Sequence, residues 1–173
     1  MFSLFYMVLT CTSILQTKIL KMQQLNLPLY NFRIKNQNNK VLIFDNLRKK
    51  YVTLTPEEWV RQNFINFLIK ELQYPASYIA VEKQLIINGL KKRCDAIIYN
   101  SSAQPIVIVE FKATHIVINQ EVFDQAAVYN SKLNIDYFII SNGQNHYCCK
   151  VDRINSRYDF LSEIPNFATL TKL

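Results

Sequence analysis

Glycine is nearly absent from this sequence, with Gly89 and Gly143 the only two among 173 residues. A chain with so few glycines contains no flexible glycine-rich linker. It also lacks the GxxxxGK[S/T] pattern, which excludes the phosphate-binding loop that ATPases and GTPases need.

Cysteine is scarce and is poorly spaced for metal or redox chemistry. The four cysteines are Cys11, Cys94, Cys148 and Cys149, and no two of them form a CxxC pair. A zinc site or a disulfide framework therefore has little support. Adjacent residues of a strand point to opposite faces, so we expect Cys148 and Cys149 to be ordinary apolar residues. A reducing, cytoplasmic setting fits this usage best.

The sequence is rich in apolar residues and in positive charge. Hydrophobic residues make up 50% of the chain, including 11 Phe and 10 Tyr, which is enough to bury the core of about one domain. Lys and Arg number 20 against 13 Asp and Glu, for a net charge of +7. This excess is compatible with a polyanionic partner but does not demonstrate one.

The first 21 residues differ from the rest. The run MFSLFYMVLTCTSILQ has no Lys or Arg before it, so it lacks the basic segment of a signal peptide, and it is short for a membrane span. Three interpretations stay open: a mis-assigned start upstream of Met22, a packed N-terminal helix, or a weak membrane anchor. We expect no stable membrane association. The chain divides into this extension (1–21), a β-hairpin region (22–54), a main domain (55–165) and a tail (166–173).

The β-hairpin region leads into a helix. The segments YNFRIK and KVLIFD flank the polar turn NQNNK and predict a hairpin, with KYVTL as a candidate third strand. Thr55, Pro56 and two acidic residues begin a helix that runs through EEWVRQNFINFLIKEL and stops at Pro75. Its expected buried face consists of Trp59, Phe64, Phe67, Leu68 and Leu72.

Three strands, a helix and two strands are predicted to follow. The three strands are SYIAVEKQLII, KRCDAIIY and PIVIVEFKA, with turns at 88–90 and 100–104. A helix covers Gln120 to Leu133, and DYFIISNGQNHYCCKVD predicts two strands joined by Asn142 and Gly143. The order is helix, three-strand meander, helix, strand, strand. It predicts a single mixed α/β sheet domain with an N-terminal β-hairpin.

The strand PIVIVEFKA carries two charges among its apolar residues. Alternation places Glu110 and Lys112 on one face. A turn centred between Ser102 and Ala103 would put Asp95 opposite Glu110, with Cβ atoms about 4.5–5.5 Å apart. Two carboxylates this close imply a proton, a cation or a metal between them, and oxygen ligands suit a hard divalent ion. A plain salt bridge is the competing interpretation, and a one-residue slip in register would move Asp95 to the other face.

Five segments together resemble a known family. They are LTPEEWVRQNF, VEKQLIINGLKKRCDAIIY, VEFKA, FDQAAVYN and NGQNHYCCKVD. They resemble the stand-alone form of the N-terminal nuclease domain of type I restriction enzyme R subunits. Asp95 with Glu110 and Lys112 resembles the D…ExK core of the PD-(D/E)XK nuclease superfamily. The resemblance covers most of Met22 to Pro165 and implies a restriction-endonuclease-like fold. It departs from the pattern at Cys94, where the superfamily usually has proline.

The resemblance implies a metal site. Asp95 and Glu110 would ligate Mg²⁺, for which Mn²⁺ is expected to substitute, and the backbone carbonyl of Phe111 would be a third protein oxygen. Lys112 would orient or help to deprotonate the attacking water and steady the charge on the phosphate.

Three further residues have implied roles. Glu58 on the first helix would complete the metal shell or hydrogen-bond to it, with the adjacent Glu57 as the competing choice. Gln125 and Tyr129 match a QxxxY signature that lies beside the active site in related nucleases. Their i, i+4 spacing places both on one helix face. A solvated Gln125 and a Tyr129 at the edge of the core are the alternatives.

The implied activity is Mg²⁺-dependent hydrolysis of phosphodiester bonds in nucleic acid, with DNA expected, by an endonuclease of the restriction type. The translocating motor of type I enzymes needs a phosphate-binding loop and has no counterpart in these residues. A protein partner would then supply specificity, and a homodimer is compatible with the sequence. Two alternatives stay open: a non-catalytic DNA-binding or accessory module of a restriction or repair complex, and a solute- or partner-binding domain with a fortuitous salt bridge.

Basic turns and histidines are weaker candidates. The runs LRKK at 47–50 and LKKR at 90–93 suit either phosphate contacts or solvated turns. His115 fits an exposed loop better than a DNA contact. His146 has no partner at ligand spacing, so packing or surface exposure is expected.

Overall fold

The computed structural model describes residues 24–87, 90–123, 135–155 and 157–171. The strands are β1 (Ile34–Gln37), β2 (Lys40–Asp45), β3 (Lys50–Thr53), β4 (Ile79–Ile87), β5 (Leu90–Tyr99), β6 (Pro105–Phe111), β7 (Tyr137–Ser141), β8 (His146–Asp152) and β9 (Arg157–Leu161). The helices are α1 (Pro56–Lys70) and α2 (Phe167–Leu170), with a 3₁₀ turn at Ala76–Tyr78. The extension at 1–21 lies outside these ranges. None of the described helices is long and apolar enough to cross a membrane.

The N-terminal β-hairpin is part of a three-stranded sheet in the order β1-β2-β3. Asn38 and Asn39 have φ values of 51° and 58°, which suit a two-residue hairpin turn, and they join Gln37 to its partner Lys40. The candidate third strand is confirmed, because β3 pairs antiparallel with β2. Trp59 of α1 packs against the small core of this sheet, so the sheet is attached to the helix.

Helix α1 begins where its capping residues predict. The Thr55 hydroxyl accepts a hydrogen bond from the Glu58 amide at 3.1 Å, and Pro56 occupies the first turn. The helix ends at Lys70, ahead of Pro75. This position agrees with the predicted boundaries.

The buried face of α1 is more polar than predicted. Phe64 and Leu68 are fully buried, as expected from their spacing. Arg61, Gln62 and Asn63 are also buried, with no more than 5% of each residue exposed. Spacing alone assigns such residues to a solvated face. The ion pairs described below account for Arg61, whereas Gln62 donates a hydrogen bond to Glu58 and Asn63 donates one to the Trp59 carbonyl.

The second sheet has six strands in the order β4-β5-β6-β7-β8-β9. All neighbours pair antiparallel except β6 and β7, which are parallel. A parallel pair needs a crossover, here residues 112–136, and this is the segment in which the sequence predicts a helix from Gln120 to Leu133. Residues 120–123 are helical, and 124–134 lie outside the described ranges. The first five strands of this sheet follow the predicted order, including the two that Asn142 and Gly143 join, whereas β9 was not predicted.

The six-stranded sheet separates two apolar clusters. Along β6, Val107 and Val109 belong to the cluster that contains the apolar face of α1, whereas Ile108 belongs to the other cluster. Cys148 and Cys149 are both buried and divide in the same way, one into each cluster. The prediction that they are apolar residues on opposite faces is confirmed.

Candidate functional site

The candidate site lies where β5 and β6 separate. The predicted register is confirmed for the pairs Ala96↔Val109, Ile97↔Ile108 and Ile98↔Val107, and it shifts by one residue next to the turn, where Tyr99 pairs with Pro105. Within the described residues the pairing ends at Ala96 and Val109. Asp95 and Glu110 are the next residues on the two strands, so both carboxylates stand at this point of separation, which we call the fork.

At the fork, a hydrogen bond to the Asp95 side chain takes the place of the backbone hydrogen bonds between β5 and β6. The Phe111 amide donates to Asp95 Oδ2 at 2.8 Å, and the following amide, that of Lys112, donates to the Ser141 carbonyl at 2.9 Å. Strand β6 therefore stays with β7 while it leaves β5. The Phe111 bond fixes the Asp95 carboxylate beside the Glu110 backbone, and it shows that the Phe111 amide is occupied. The predicted role of the Phe111 carbonyl stays a prediction.

Glu110 is a buried carboxylate with one oxygen unpaired. Only 8% of the residue is exposed. Its Oε1 atom lies 3.4 Å from Lys112 Nζ, and its Oε2 atom is buried and has no hydrogen-bond partner among the described residues. A buried polar atom left unpaired costs about 1–3 kcal/mol and more for a charged group. Such an atom calls for a missing proton or cation.

Burial and like charges shift both carboxyl groups in the same direction. Burial first, and then the negative charge of Asp95, raises the pKa of Glu110 to about 7, although Lys112 opposes the shift. Burial also raises the pKa of Asp95 to about 6, with smaller contributions from Glu57 and Glu82, against the lowering effect of the Phe111 hydrogen bond. Both carboxyl groups therefore release their protons closer to neutral pH than isolated carboxyl groups do, mainly because they are buried.

Glu58 does not join this pair. Its carboxylate accepts hydrogen bonds from Arg61 and from Gln62 Nε2, the latter at 2.7 Å, and it forms an ion pair with Arg48 at 3.4 Å. The expectation that Glu58 serves the metal shell gains no support from these contacts. Glu57, the competing choice, is exposed and acts electrostatically on both Asp95 and Glu110.

The ion pairs around Glu58 form a buried cluster that the sequence did not reveal. Arg48 Nε contacts Asp45 Oδ2 at 2.6 Å, and Arg61 Nη2 approaches the same oxygen at 3.4 Å. We call Asp45, Arg48, Glu58 and Arg61 the buried ion cluster. Arg48 belongs to the LRKK run, and its guanidinium pairs with Asp45 and Glu58 within the protein. The i, i+3 spacings of Asp45 with Arg48 and of Glu58 with Arg61 are the local signals that could have indicated part of this cluster.

The remaining candidates fall in different places. Gln125 and Tyr129 lie outside the described residues. His115 is exposed, as expected. His146 is packed: its Nδ1 atom lies 2.8 Å from Ser141 Oγ, its Nε2 atom lies 3.0 Å from the Asn26 carbonyl, and burial lowers its pKa. Neither histidine joins the carboxylate pair.

The donors at the fork fit a hard divalent cation that keeps part of its water shell. No group of three or more His, Cys, Asp or Glu side chains is arranged to hold a metal within the described ranges. The protein donors would be Asp95, Glu110 and a backbone carbonyl. Mg²⁺ is usually bound by a few protein oxygens and keeps several of its water ligands. The unpaired Glu110 Oε2 is the observation on which this fit depends.

Metal binding should strengthen as the pH rises from about 6 to about 8. Because both pKa values are raised above the unfolded values of 3.8 and 4.5, the folded protein keeps protons that the unfolded chain has released, and metal-free stability falls between about pH 4 and pH 7. A cation must displace those protons. We expect Mn²⁺ to raise the thermal unfolding midpoint more at about pH 8 than at about pH 6. Equal rises would show that both carboxyls are already ionised at the lower pH.

Comparisons with known proteins agree with this geometry. A family model described as the N terminus of the type I restriction enzyme R protein matches residues 56–165. A solved fragment assigned as the HsdR subunit of a type I restriction enzyme from Vibrio vulnificus YJ016 is similar in structure, with a TM-score of 0.51 and 20% sequence identity. The alignment covers 69% of this chain and 25% of that chain, so it spans a quarter of the solved protein. No curated protein matched significantly. The similarity confirms the predicted restriction-endonuclease-like fold.

Proposed function

Because the chain belongs to the family of the type I restriction enzyme R protein N terminus, we propose that it is a Mg²⁺-dependent nuclease that hydrolyses phosphodiester bonds of DNA. One observation carries the proposal: Glu110 Oε2 is a buried carboxylate oxygen without a described partner, beside a second carboxylate and an ammonium. A structural salt bridge would satisfy Glu110, and a second buried carboxylate would only weaken such a pair.

Each residue at the fork would have a separate role in the reaction. Asp95 and Glu110 would supply the oxygen ligands, together with the Phe111 carbonyl. When bound, Mg²⁺ polarises the phosphoryl oxygen and lowers the pKa of a coordinated water. The Lys112 ammonium, 3.4 Å from Glu110 Oε1, would orient the attacking water and neutralise charge on the phosphate. Glu57 would add a third negative charge, which would favour the binding of a cation beside Asp95 and Glu110.

Specificity and assembly belong to the same proposal. The chain spans a quarter of the solved R-subunit fragment and contains no phosphate-binding loop. We expect a partner protein to select the DNA. We also expect Mn²⁺ to replace Mg²⁺ and the setting to be cytoplasmic. Homodimerisation stays an expectation.

Plasmid cleavage tests the proposal. Supercoiled plasmid is incubated with the protein and with Mg²⁺, Mn²⁺ or EDTA, and nicked and linear products are measured. We expect products that require a divalent cation and that an Asp95→Asn variant does not form. Wild-type protein that binds DNA but yields no product with either cation would favour the non-catalytic module instead.

Glu57→Gln should lower cleavage more than Glu58→Gln once stability is matched. Glu57 acts on the Asp95 and Glu110 pair, whereas the Glu58 carboxylate is used by Arg48, Arg61 and Gln62. Removing one of three negative charges near the cation should raise the Mg²⁺ concentration for half-maximal activity several-fold. A tenfold rise would correspond to a loss of about 1.4 kcal/mol of binding free energy. The measurement is a Mg²⁺ titration at a temperature where both variants are folded. The reverse order would return Glu58 to the metal shell.

A further inference from the structure

A two-stranded arm extends from the fork on the side opposite to β6. Strands β4 and β5 pair continuously from Lys83↔Cys94 to Ile87↔Leu90, whereas the described pairing of β5 with β6 stops at Ala96. We call residues 83–87 with 90–94 the β4–β5 arm. Four residue steps at about 3.4 Å make it about 14 Å long. Its base is at Asp95, so the arm and the carboxylate pair are continuous.

The arm is strongly basic. Residues 82–94 contain Lys83, Lys91, Lys92 and Arg93 but one acidic residue, Glu82. Four positive charges against one give +3, out of +7 for the chain, within 13 residues. Lys83 and Lys91 are exposed, and 66% of the Arg93 side chain is exposed. The LKKR run therefore differs from LRKK, whose Arg48 side chain is 19% exposed and pairs with Asp45 and Glu58.

The exposed face of the arm points away from the apolar core. Leu85 and Cys94 pack into the cluster that contains Ile108. Arg93 and Lys91 alternate with Cys94 along β5, and they lie opposite Gln84 and Ile86 on β4. Ile86 is 76% exposed among these cations. A ribbon with cations and one apolar residue on its open face suits a phosphate backbone and the base or sugar edges beside it.

A strained residue joins the arm to the fork. Glu82 has a φ of 55°, which a side chain other than glycine rarely adopts inside a strand, and this typically costs about 1–3 kcal/mol. Its carboxylate pairs with Arg93 Nε at 2.7 Å. Glu82 lies between the pairs Val81↔Ala96 and Lys83↔Cys94, beside Asp95. The strained position holds Arg93 next to the carboxylate site.

We propose that the β4–β5 arm inserts into a groove of duplex DNA and that Lys91 and Arg93 bind phosphates on one side of the scissile bond. This inference rests on the proposed nuclease function and adds which part of the protein binds the DNA duplex. Along β5, Arg93 and Lys91 lie about 7 and 13 Å from Asp95 at about 3.3 Å per residue. Phosphates of one strand advance about 3.4 Å per nucleotide along the axis, so these cations match phosphates about two and four nucleotides away. A two-stranded ribbon fits the major groove, which is about 12 Å wide.

Duplex binding in EDTA tests the arm without requiring catalysis. The double variant Lys91→Gln/Arg93→Gln is compared with Lys150→Gln/Arg153→Gln, which also removes one exposed lysine and one exposed arginine in an ion pair. Fluorescence anisotropy of a labelled duplex is measured between about 50 and 200 mM salt. We expect the arm variant to bind about tenfold more weakly at low salt and to lower the slope of log K against log salt by about 1.8, at 0.9 per phosphate contact. The control should bind like the wild type.

Several outcomes would overturn the arm proposal. Equal losses in both variants would show that only net charge matters, and no loss in either would show that the arm does not bind. A loss confined to a single-stranded probe would remove the duplex assignment. Wild-type protein that binds duplex through the arm but cleaves no plasmid would overturn the nuclease function and leave the arm in place.

Discussion

Replacing Lys112 by alanine should lower the rate of DNA cleavage by about 10²–10⁴-fold, the usual contribution of a positioned acid–base group. Lys112 Nζ forms an ion pair with Glu110 at 3.4 Å. Its side chain is 21% exposed, so it can reach a substrate phosphate. The loss should appear in kcat rather than in DNA affinity. Initial rates of plasmid nicking at saturating Mg²⁺ provide the measurement.

A matched control is Lys150→Ala, which removes an exposed lysine from β8. This variant should keep wild-type rates. Similar rates for Lys112→Ala and wild type would mean that Lys112 only pairs with Glu110, and the proposed chemistry would lose its proton-handling group.

Arg61→Ala should cost about 3–5 kcal/mol of unfolding free energy, the range for breaking a buried ion pair by removing one partner. The Arg61 side chain is 5% exposed and contacts both Asp45 and Glu58, which are themselves 4% and 11% exposed. Its removal leaves Arg48 as the one cation paired with these carboxylates among the described residues. Urea unfolding of the variant and the wild type gives the difference.

Arg153→Ala is the control for this measurement. Arg153 pairs with Asp136 at 2.9 Å, but the two side chains are 44% and 53% exposed, and exposed pairs contribute about 0–1 kcal/mol. Comparable losses in the two variants would contradict the structural role of the buried ion cluster.

The buried ion cluster also affects the candidate site. Asp45 ends β2, Arg48 lies in the turn before β3, and the two other members belong to α1. The cluster therefore fixes the small sheet to the first turn of the helix that carries Glu57. Hydrogen bonds from Arg48 and the charges of Arg48 and Arg61 lower the pKa of Asp45, although burial opposes them. The stability from Asp45 is present above about pH 4 and is lost as the pH falls below it.

Local signals predicted much of the fold. The Thr55 cap and Pro56 determined the start of α1, and alternation assigned Cys148 and Cys149 to different faces. A turn centred between Ser102 and Ala103 predicted the register of Ala96 with Val109, although the pairing shifts by one residue beside the turn, where Tyr99 pairs with Pro105. These features depend on neighbours within a few residues along the chain.

The sequence could not decide between Glu57 and Glu58. Adjacent helix positions differ by about 100° around the axis, and the residues that orient Glu58 include Arg48, which lies ten positions earlier in another sheet. The burial of Arg61 has the same origin, because its partner Asp45 belongs to β2. Such contacts arise from tertiary packing and leave no short-range pattern. Gln125 and Tyr129 stay predictions.

Thermal unfolding with and without Mn²⁺ tests the central claim, that Asp95 and Glu110 form a cation site, without any knowledge of the substrate. For a Kd of about 1 mM, metal at about 10 mM should stabilise the folded state by about 1.4 kcal/mol. This corresponds to a rise of about 2–5 °C in the midpoint for a domain of this size. Asp95→Asn should abolish the rise and leave the metal-free protein no less stable, since it removes one of two repelling charges. Asp159→Asn, at a side chain 49% exposed, should keep the rise. A wild-type midpoint that does not respond to Mn²⁺, or an equal rise in Asp95→Asn, would contradict the account.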